Sequence, residues 1–242
     1  MSKLEIALFP CLSDNYGLLI HDPQSGKTAA IDTPDADEIT RQCEARNWGL
    51  TDIWNTHHHW DHTGGNLALK EKYGVNITGP NMIEGRIPGL DIGVGEADIF
   101  QFGHHDVKVW HTPGHTKDHI VYYVPDAEAI FVGDTLFAMG CGRLFEGTPL
   151  QMFESLKKLA SLPPETKVYC AHEYTVSNGE FAITVESENP ALRAALGDAK
   201  TKRTKAVPTI PTTISKELET NPFMRAETPE ILGQIRAAKD NF

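Results

Sequence analysis

Seven consecutive residues, Thr56-His57-His58-His59-Trp60-Asp61-His62, carry four imidazoles and one carboxylate. A fold containing them must either aim these groups at a cation or leave them in water. In extended backbone the side chains of His57 and His59 point the same way, because a strand repeats every two residues, and a turn at Asp61-His62 swings two more donors to a neighbouring point. One short segment can thus serve two ions, while His58 alternates away from the donor face. The i, i+4 spacing of a helical H-E-x-x-H zinc site is absent. The plain alternative is a polyhistidine-like surface turn that holds no metal.

The rest of the chain supplies a scaffold. Short apolar runs at 4–9, 16–20, 28–31, 53–54, 107–110, 120–124, 129–132 and 167–170 read as strands between polar turns. Helical patterns interleave with them: 35–48 opens with Asp35 and Glu38 at capping-box spacing, and a helix ending near Tyr73 has Gly74 as its stop. A third helix, 149–160, has Thr148 as cap and Pro149 at its first position, should bury Met152, Phe153, Leu156 and Leu159, and stops at Pro163-Pro164. Alternating strands and helices define an α/β class. Beyond about residue 172 the β-branched runs thin out. Helices at 190–205 behind Asn189 and 229–239 behind Thr228, joined by a Pro- and Thr-rich connector at 207–214, predict a small helical C-terminal domain. The expected division is 1–172 and 173–242.

Four of these strands end on a metal-binding type of side chain: Trp54 leads to His57, Trp110 to His115, Val132 to Asp134 and Cys170 to His172. Sites in α/β sheets gather at such strand ends. Singly, His115 also reads as a turn histidine, Asp134 as a helix cap and His172 as a surface group. Together with His57, His59, Asp61 and His62 they supply the seven donors that two ions with open positions need, Asp134 being a bridging carboxylate. His21, His104, His105, His111 and His119 follow no convergent pattern and read as surface or packing residues. Asp32 reads equally as a turn carboxylate or as a hydrogen-bonding support for a ligand.

Composition excludes several classes. A net charge of −11 argues against nucleic acid or an anionic membrane as partner, so an anionic substrate needs a local cationic site. Arg236 and Lys239, three apart on a predicted helix, offer one, although a solvated basic helix end is the competing reading. No apolar stretch approaches the roughly 18 residues of a membrane span, and the start lacks the basic-then-apolar order of a signal peptide. Cys11, Cys43, Cys141 and Cys170 are scattered without a C-x-x-C pair, which fits a reducing cytoplasm.

In order along the chain, T-H-x-H-x-D-H at 56–62, T-P-G-H-T at 112–116, Gly133-Asp134 and Ala171-His172 resemble the metallo-β-lactamase superfamily. The resemblance implies an αββα sandwich with a small C-terminal all-helical domain. It assigns His57, His59 and His115 to one ion, Asp61, His62 and His172 to the other, and Asp134 to both. A narrower resemblance, to the glyoxalase II or hydroxyacylglutathione hydrolase family, rests on five further pieces. These are Ser13-Asp14-Asn15-Tyr16, Cys141-Gly142-Arg143, His172-Glu173-Tyr174, Asn221-Pro222-Phe223-Met224-Arg225 and Arg236-x-x-Lys239-Asp240.

That family implies a thioesterase acting on S-D-lactoylglutathione by attack of a hydroxide held between two divalent metals, zinc first, with iron or manganese as alternatives; a monomer is expected. Its place would be the second step of methylglyoxal detoxification. Asp61 and Asp134 would be catalytic as ligands, and Arg143, Tyr174, Arg236 and Lys239 would bind glutathione. Two departures stand out: Arg143 where the family often has Lys, and Phe145 where it often has Tyr, which removes a hydroxyl donor. The same scaffold also admits a mononuclear iron dioxygenase acting on glutathione persulfide. The complete second-metal set and the Arg/Lys pair favour hydrolysis.

Overall fold

A computed structural model describes residues 3–81 and 85–242. The chain forms two compact units, one of Met1–His111 with Asp118–Gly133, the other of Thr112–Lys117 with Asp134–Phe242.

The first unit opens with the antiparallel strands β1 (Glu5–Cys11), β2 (Asn15–Asp22) and β3 (Lys27–Ile31). Helix α1 (Ala36–Arg46) then crosses to the parallel strand β4 (Asp52–Trp54), and the short α2 (Trp60–Thr63) and α3 (Asn66–Tyr73) lead to β5 (Asn76–Pro80) and β6 (Ile92–Val94). The six strands lie in sequence order in one sheet, with Trp54 paired to Ile31 on one side and Thr78 on the other. Local chemistry explains the helix ends. Asp35 accepts hydrogen bonds from the backbone of Asp37 and Glu38 at the start of α1, while Asn47 and Gly74 take the left-handed conformation that closes α1 and α3.

A second, antiparallel set follows: β7 (Ile99–Phe102), β8 (His105–His111), β9 (Ile120–Val124) and β10 (Ala129–Gly133). The first sheet therefore has two buried faces. On one, Ile39 and Cys43 of α1 and Leu69 of α3 pack with Leu19, Ala30, Ile53 and Ile77. On the other, Trp54 meets Phe100 and Phe102 edge-on at 5.3 and 5.1 Å and Tyr122 at 5.6 Å. Strands with both faces buried read as continuous apolar runs, which is why β3 and β10 were visible in the sequence.

The second unit carries the hairpin β11 (Leu136–Phe137) and β12 (Gly140–Cys141), helix α4 (Pro149–Ala160) and strand β13 (Lys167–Cys170). Helices α5 (Thr175–Val185) and α6 (Pro190–Thr204) follow. Then come β14 (Thr212–Thr213), antiparallel to β13, and α7 (Ile214–Thr220), α8 (Pro222–Arg225) and α9 (Pro229–Asp240). Thr148 and Gln151 close a reciprocal capping box on α4, whose buried stripe is Met152, Leu156 and Leu159. Phe153 was expected in that stripe but is only half-buried, with the Lys157 ammonium 5.1 Å from its ring centre. Among the described residues no helix is long and apolar enough to cross a membrane.

Candidate active site

In the first unit the expected donors stand at the C-terminal end of β4. The chain leaves the strand through Asn55 and Thr56, which are fully buried, and both are clamped. Asn55 donates to the carbonyl of His62 at 2.9 Å and accepts from Asn66 at 2.8 Å. Asp32, just past β3 with φ of 58°, accepts from the Thr56 backbone N–H at 2.7 Å, the Thr56 hydroxyl at 2.8 Å and His62 Nδ1 at 2.8 Å. Because the Thr56 proton is directed to Asp32, its oxygen accepts from His57 Nδ1 at 3.0 Å. This network places the proton of both rings on Nδ1 and so puts the lone pairs of His57 and His62 on Nε2, the form in which an imidazole can ligate a cation.

Gly133, at φ 48°, closes the same network, since a Cβ there would come within 2.5 Å of the Thr56 hydroxyl and 2.8 Å of His119 Nε2. His119 is fully buried and stacks on His57 at 4.8 Å. For it, and for His105, which is buried and 2.7 Å from Asp126, the packing reading applies. His58 turns away to Asp118 at 3.2 Å. Trp60, which begins α2, is 71% exposed.

His57 Nε2 and His59 Nδ1 stand 3.0 Å apart, and His62 Nε2 lies 3.5 Å from an oxygen of Asp61. The Asp61 carboxylate is oriented by Asn15, whose amide donates to Oδ2 at 3.2 Å and to the Asp61 carbonyl at 3.3 Å. No local sequence signal assigns a role to Asn15 or Thr56. Asn15 lay within the Ser13–Tyr16 motif, and Thr56 within the histidine segment, but their partners lie 46 and 24 residues away.

The second unit gathers the remaining donors. Asp134, following β10, has one oxygen 3.3 Å from His115 Nε2 and the other 3.4 Å from His172 Nε2. His115 donates from Nδ1 to the Arg143 carbonyl at 2.9 Å, which puts the ring's lone pair on Nε2. Gly142 makes this possible: a Cβ there would stand 2.1 Å from the Asp134 carbonyl oxygen. His172 follows β13 and stacks face to face on Tyr174 at 4.7 Å.

These separations test whether the donors suit an ion. Two ligands each about 2.0–2.1 Å from zinc at tetrahedral angles lie roughly 3.3 Å apart. The pairs within each unit span 3.0 to 3.5 Å. The donor set suits borderline divalent metals.

Beside His115 and Asp134 lies a cavity of about 540 Å³ whose wall includes Arg143, Phe145, Tyr174, Arg236, Lys239 and Asp240. Arg236, on α9, is buried and donates to the Cys141 carbonyl at 2.7 Å and to Asp240 at 2.9 Å. Lys239, one turn later, donates to Ser177. Burial, then the neighbouring Arg236 and Arg143, holds its ammonium below the usual lysine range. Arg143 is largely exposed, and Phe145 lies edge-on to His115 at 5.3 Å. Burial pushes the Cys141 thiol up to about 11, so it stands in the wall as a neutral thiol and not a nucleophile.

Residues 31–172 match the metallo-β-lactamase superfamily, and residues 173–242 match the C-terminus of hydroxyacylglutathione hydrolase. The fold class is thereby the αββα metallo-β-lactamase fold with a helical C-terminal region. A relative from Maricaulis maris named hydroxyacylglutathione hydrolase is 48% identical over 256 residues, covering 100% of both chains. A Brucella anthropi relative of the same name is 51% identical over 254 residues, covering 99% of this chain and 98% of its own. Among solved structures, ETHE1 from Myxococcus xanthus superposes with a TM-score of 0.74 at 26% identity, covering 96% of this chain and 90% of that one. The chain belongs to the hydroxyacylglutathione hydrolase family of metallo-β-lactamase-fold hydrolases.

Proposed function

We propose that the chain hydrolyses S-D-lactoylglutathione, a 2-hydroxyacylglutathione thioester, to glutathione and D-lactate, the second step of methylglyoxal detoxification. The observation that carries this reading is the cavity in which the donors His115 and Asp134 share a wall with Arg143, Arg236 and Lys239. A substrate with carboxylates at one end and a reacting carbonyl at the other fits such a wall.

We assign His57, His59 and His115 to one divalent ion, Asp61, His62 and His172 to a second, and Asp134 to both. Zinc is the first choice, with iron or manganese as alternatives. Such ions lower the pKa of bound water from about 15.7 to roughly 7 and polarise a carbonyl oxygen. The chain's own side chains bind and orient. Asp32 and Thr56 fix the tautomers of His62 and His57, and Asn15 holds the Asp61 carboxylate. Arg143, Arg236, Lys239 and Tyr174 hold the glutathione moiety. The leaving thiolate, whose thiol has a pKa near 8.5, needs little protonation, so no dedicated acid is required.

In this reading 1–172 is catalytic and 173–242 binds glutathione, as a monomer in the cytoplasm. All four cysteines are buried and free, which suits a reducing compartment.

The test follows loss of thioester absorbance with S-D-lactoylglutathione before and after chelation, with metal analysis of the same preparation. Turnover should stop on chelation and return on reloading. Asp61→Ala and Asp134→Ala should lose bound metal and more than about a hundredfold in kcat, beyond the effect of losing an outer hydrogen-bonding partner. Normal metal content with full turnover in either variant would overturn the ligand assignment. Oxygen consumption without thioester cleavage would turn the reading to the dioxygenase.

A further inference from the structure

The cavity wall holds an acid where an anion-binding site needs none. Besides the donor Asp134, the side chain of Asp240 is the one carboxylate among the described residues lining it, facing the cations of Arg143, Arg236 and Lys239. Helix stability does not account for it. Asp240 is the last residue of α9, the end where the helix dipole disfavours negative charge. Its pairing with Arg236, four residues earlier, runs in the weaker order for an i, i+4 pair.

The geometry of the carboxylate is one-sided. Oδ1 accepts from Arg236 Nη2 at 2.9 Å and lies 3.4 Å from Arg143 Nε. Among the described residues no donor reaches Oδ2, and the side chain is 39% exposed. One oxygen is thus held by the protein while the other is left for a ligand.

The charges then match the substrate proposed above, on which this inference rests. A glutathione thioester carries two carboxylates and one ammonium; with Asp134 set aside as a proposed metal ligand, the side chains of the wall offer three cations and one carboxylate. We propose that Asp240 is a specificity-determining residue whose Oδ2 receives the α-ammonium of the γ-glutamyl end. Arg143, Arg236 and Lys239 meanwhile serve the two carboxylates. A free acid in the wall also disfavours dianionic thioesters that lack an amine, since their extra negative charge has no counterpart there.

The test pairs two substrates with three proteins. The substrates are S-D-lactoylglutathione and its deamino analogue, in which glutaryl replaces γ-glutamyl. The wild type should show a KM about tenfold or more higher for the analogue, the usual size of one charge-assisted hydrogen bond. In Asp240→Asn that ratio should fall toward one, and Asp240→Glu should restore part of it. If Asp240 only braces the two arginines, Asp240→Asn raises both KM values in parallel and leaves the ratio unchanged, which would overturn the proposal. Equal KM values in the wild type would overturn it too while leaving thioester hydrolysis intact. Absence of any thioester turnover in metal-loaded wild type would remove both readings.

Discussion

Asp32 accepts from Thr56 and His62 through one carboxylate, and Thr56 passes that order on to His57. A single group thereby sets the tautomer of a ligand assigned to each ion. Asp32→Asn places an NH₂ against these donors, and metal affinity should fall by about 10–100-fold, as is usual when a ligand loses its outer partner. Competition with a chromophoric chelator measures this, and unchanged affinity would mean that the tautomers are set elsewhere. The seven candidate donors were readable from residue type and from the strand ends they follow. Asp32 was readable only as one of two equal alternatives, since a lone acid after an apolar run serves a turn equally well. Its role depends on a left-handed backbone and on partners 24 and 30 residues ahead, information that no local pattern contains.

The hairpin of β11 and β12 shows the same dependence for whole elements. It begins two residues after Asp134 and ends at Cys141, whose carbonyl holds Arg236. Its turn is gripped from α7 and α8. Glu217 accepts from the Met139 N–H at 2.8 Å, and Asn221 donates to the carbonyls of Phe137 and Gly140 at 3.1 and 2.9 Å. Burial raises the Glu217 pKa above the ordinary 4.5, partly offset by bonds from Thr212, Asn221 and Met139. A raised native value means the folded chain holds that proton more tightly than the unfolded one. Its stabilising effect is present below the ordinary value and is lost as pH rises through the native one. The stability of wild type relative to Glu217→Gln, measured by urea unfolding, should therefore decrease as pH rises from about 4.5. A gap that widens instead would mean the three donors outweigh burial. Neither strand of this hairpin was legible, at two residues each. β5 was hidden because its Gly79-Pro80 reads as a turn, and α5 because its segment combines β-branched residues with Gly179 and has no side-chain cap. The capped helices α4, α6 and α9 were legible to within a residue or two, because Thr148, Asn189 and Thr228 state their starts locally.

At the scale of the molecule, a net charge of −11 repels an anionic thioester everywhere except near a local group of cations. The three cavity cations supply that exception. Ion binding should also couple to the stability of the whole chain, because the proposed ligands run from His57 to His172 and the unfolded chain offers no such set. With free metal at a hundred times its Kd, the native state gains about 2.7 kcal/mol, roughly 5–10 °C in Tm for a chain of this size. Calorimetry of stripped and reloaded protein measures the shift, and identical melting curves would contradict the assignment. The exposed indole of Trp60 makes that loading visible without any label. It lies between the proposed ligands His59 and Asp61 in the chain, so its fluorescence should respond to what they hold. Paramagnetic iron or manganese would quench the emission, whereas zinc, with its closed shell, would leave it bright.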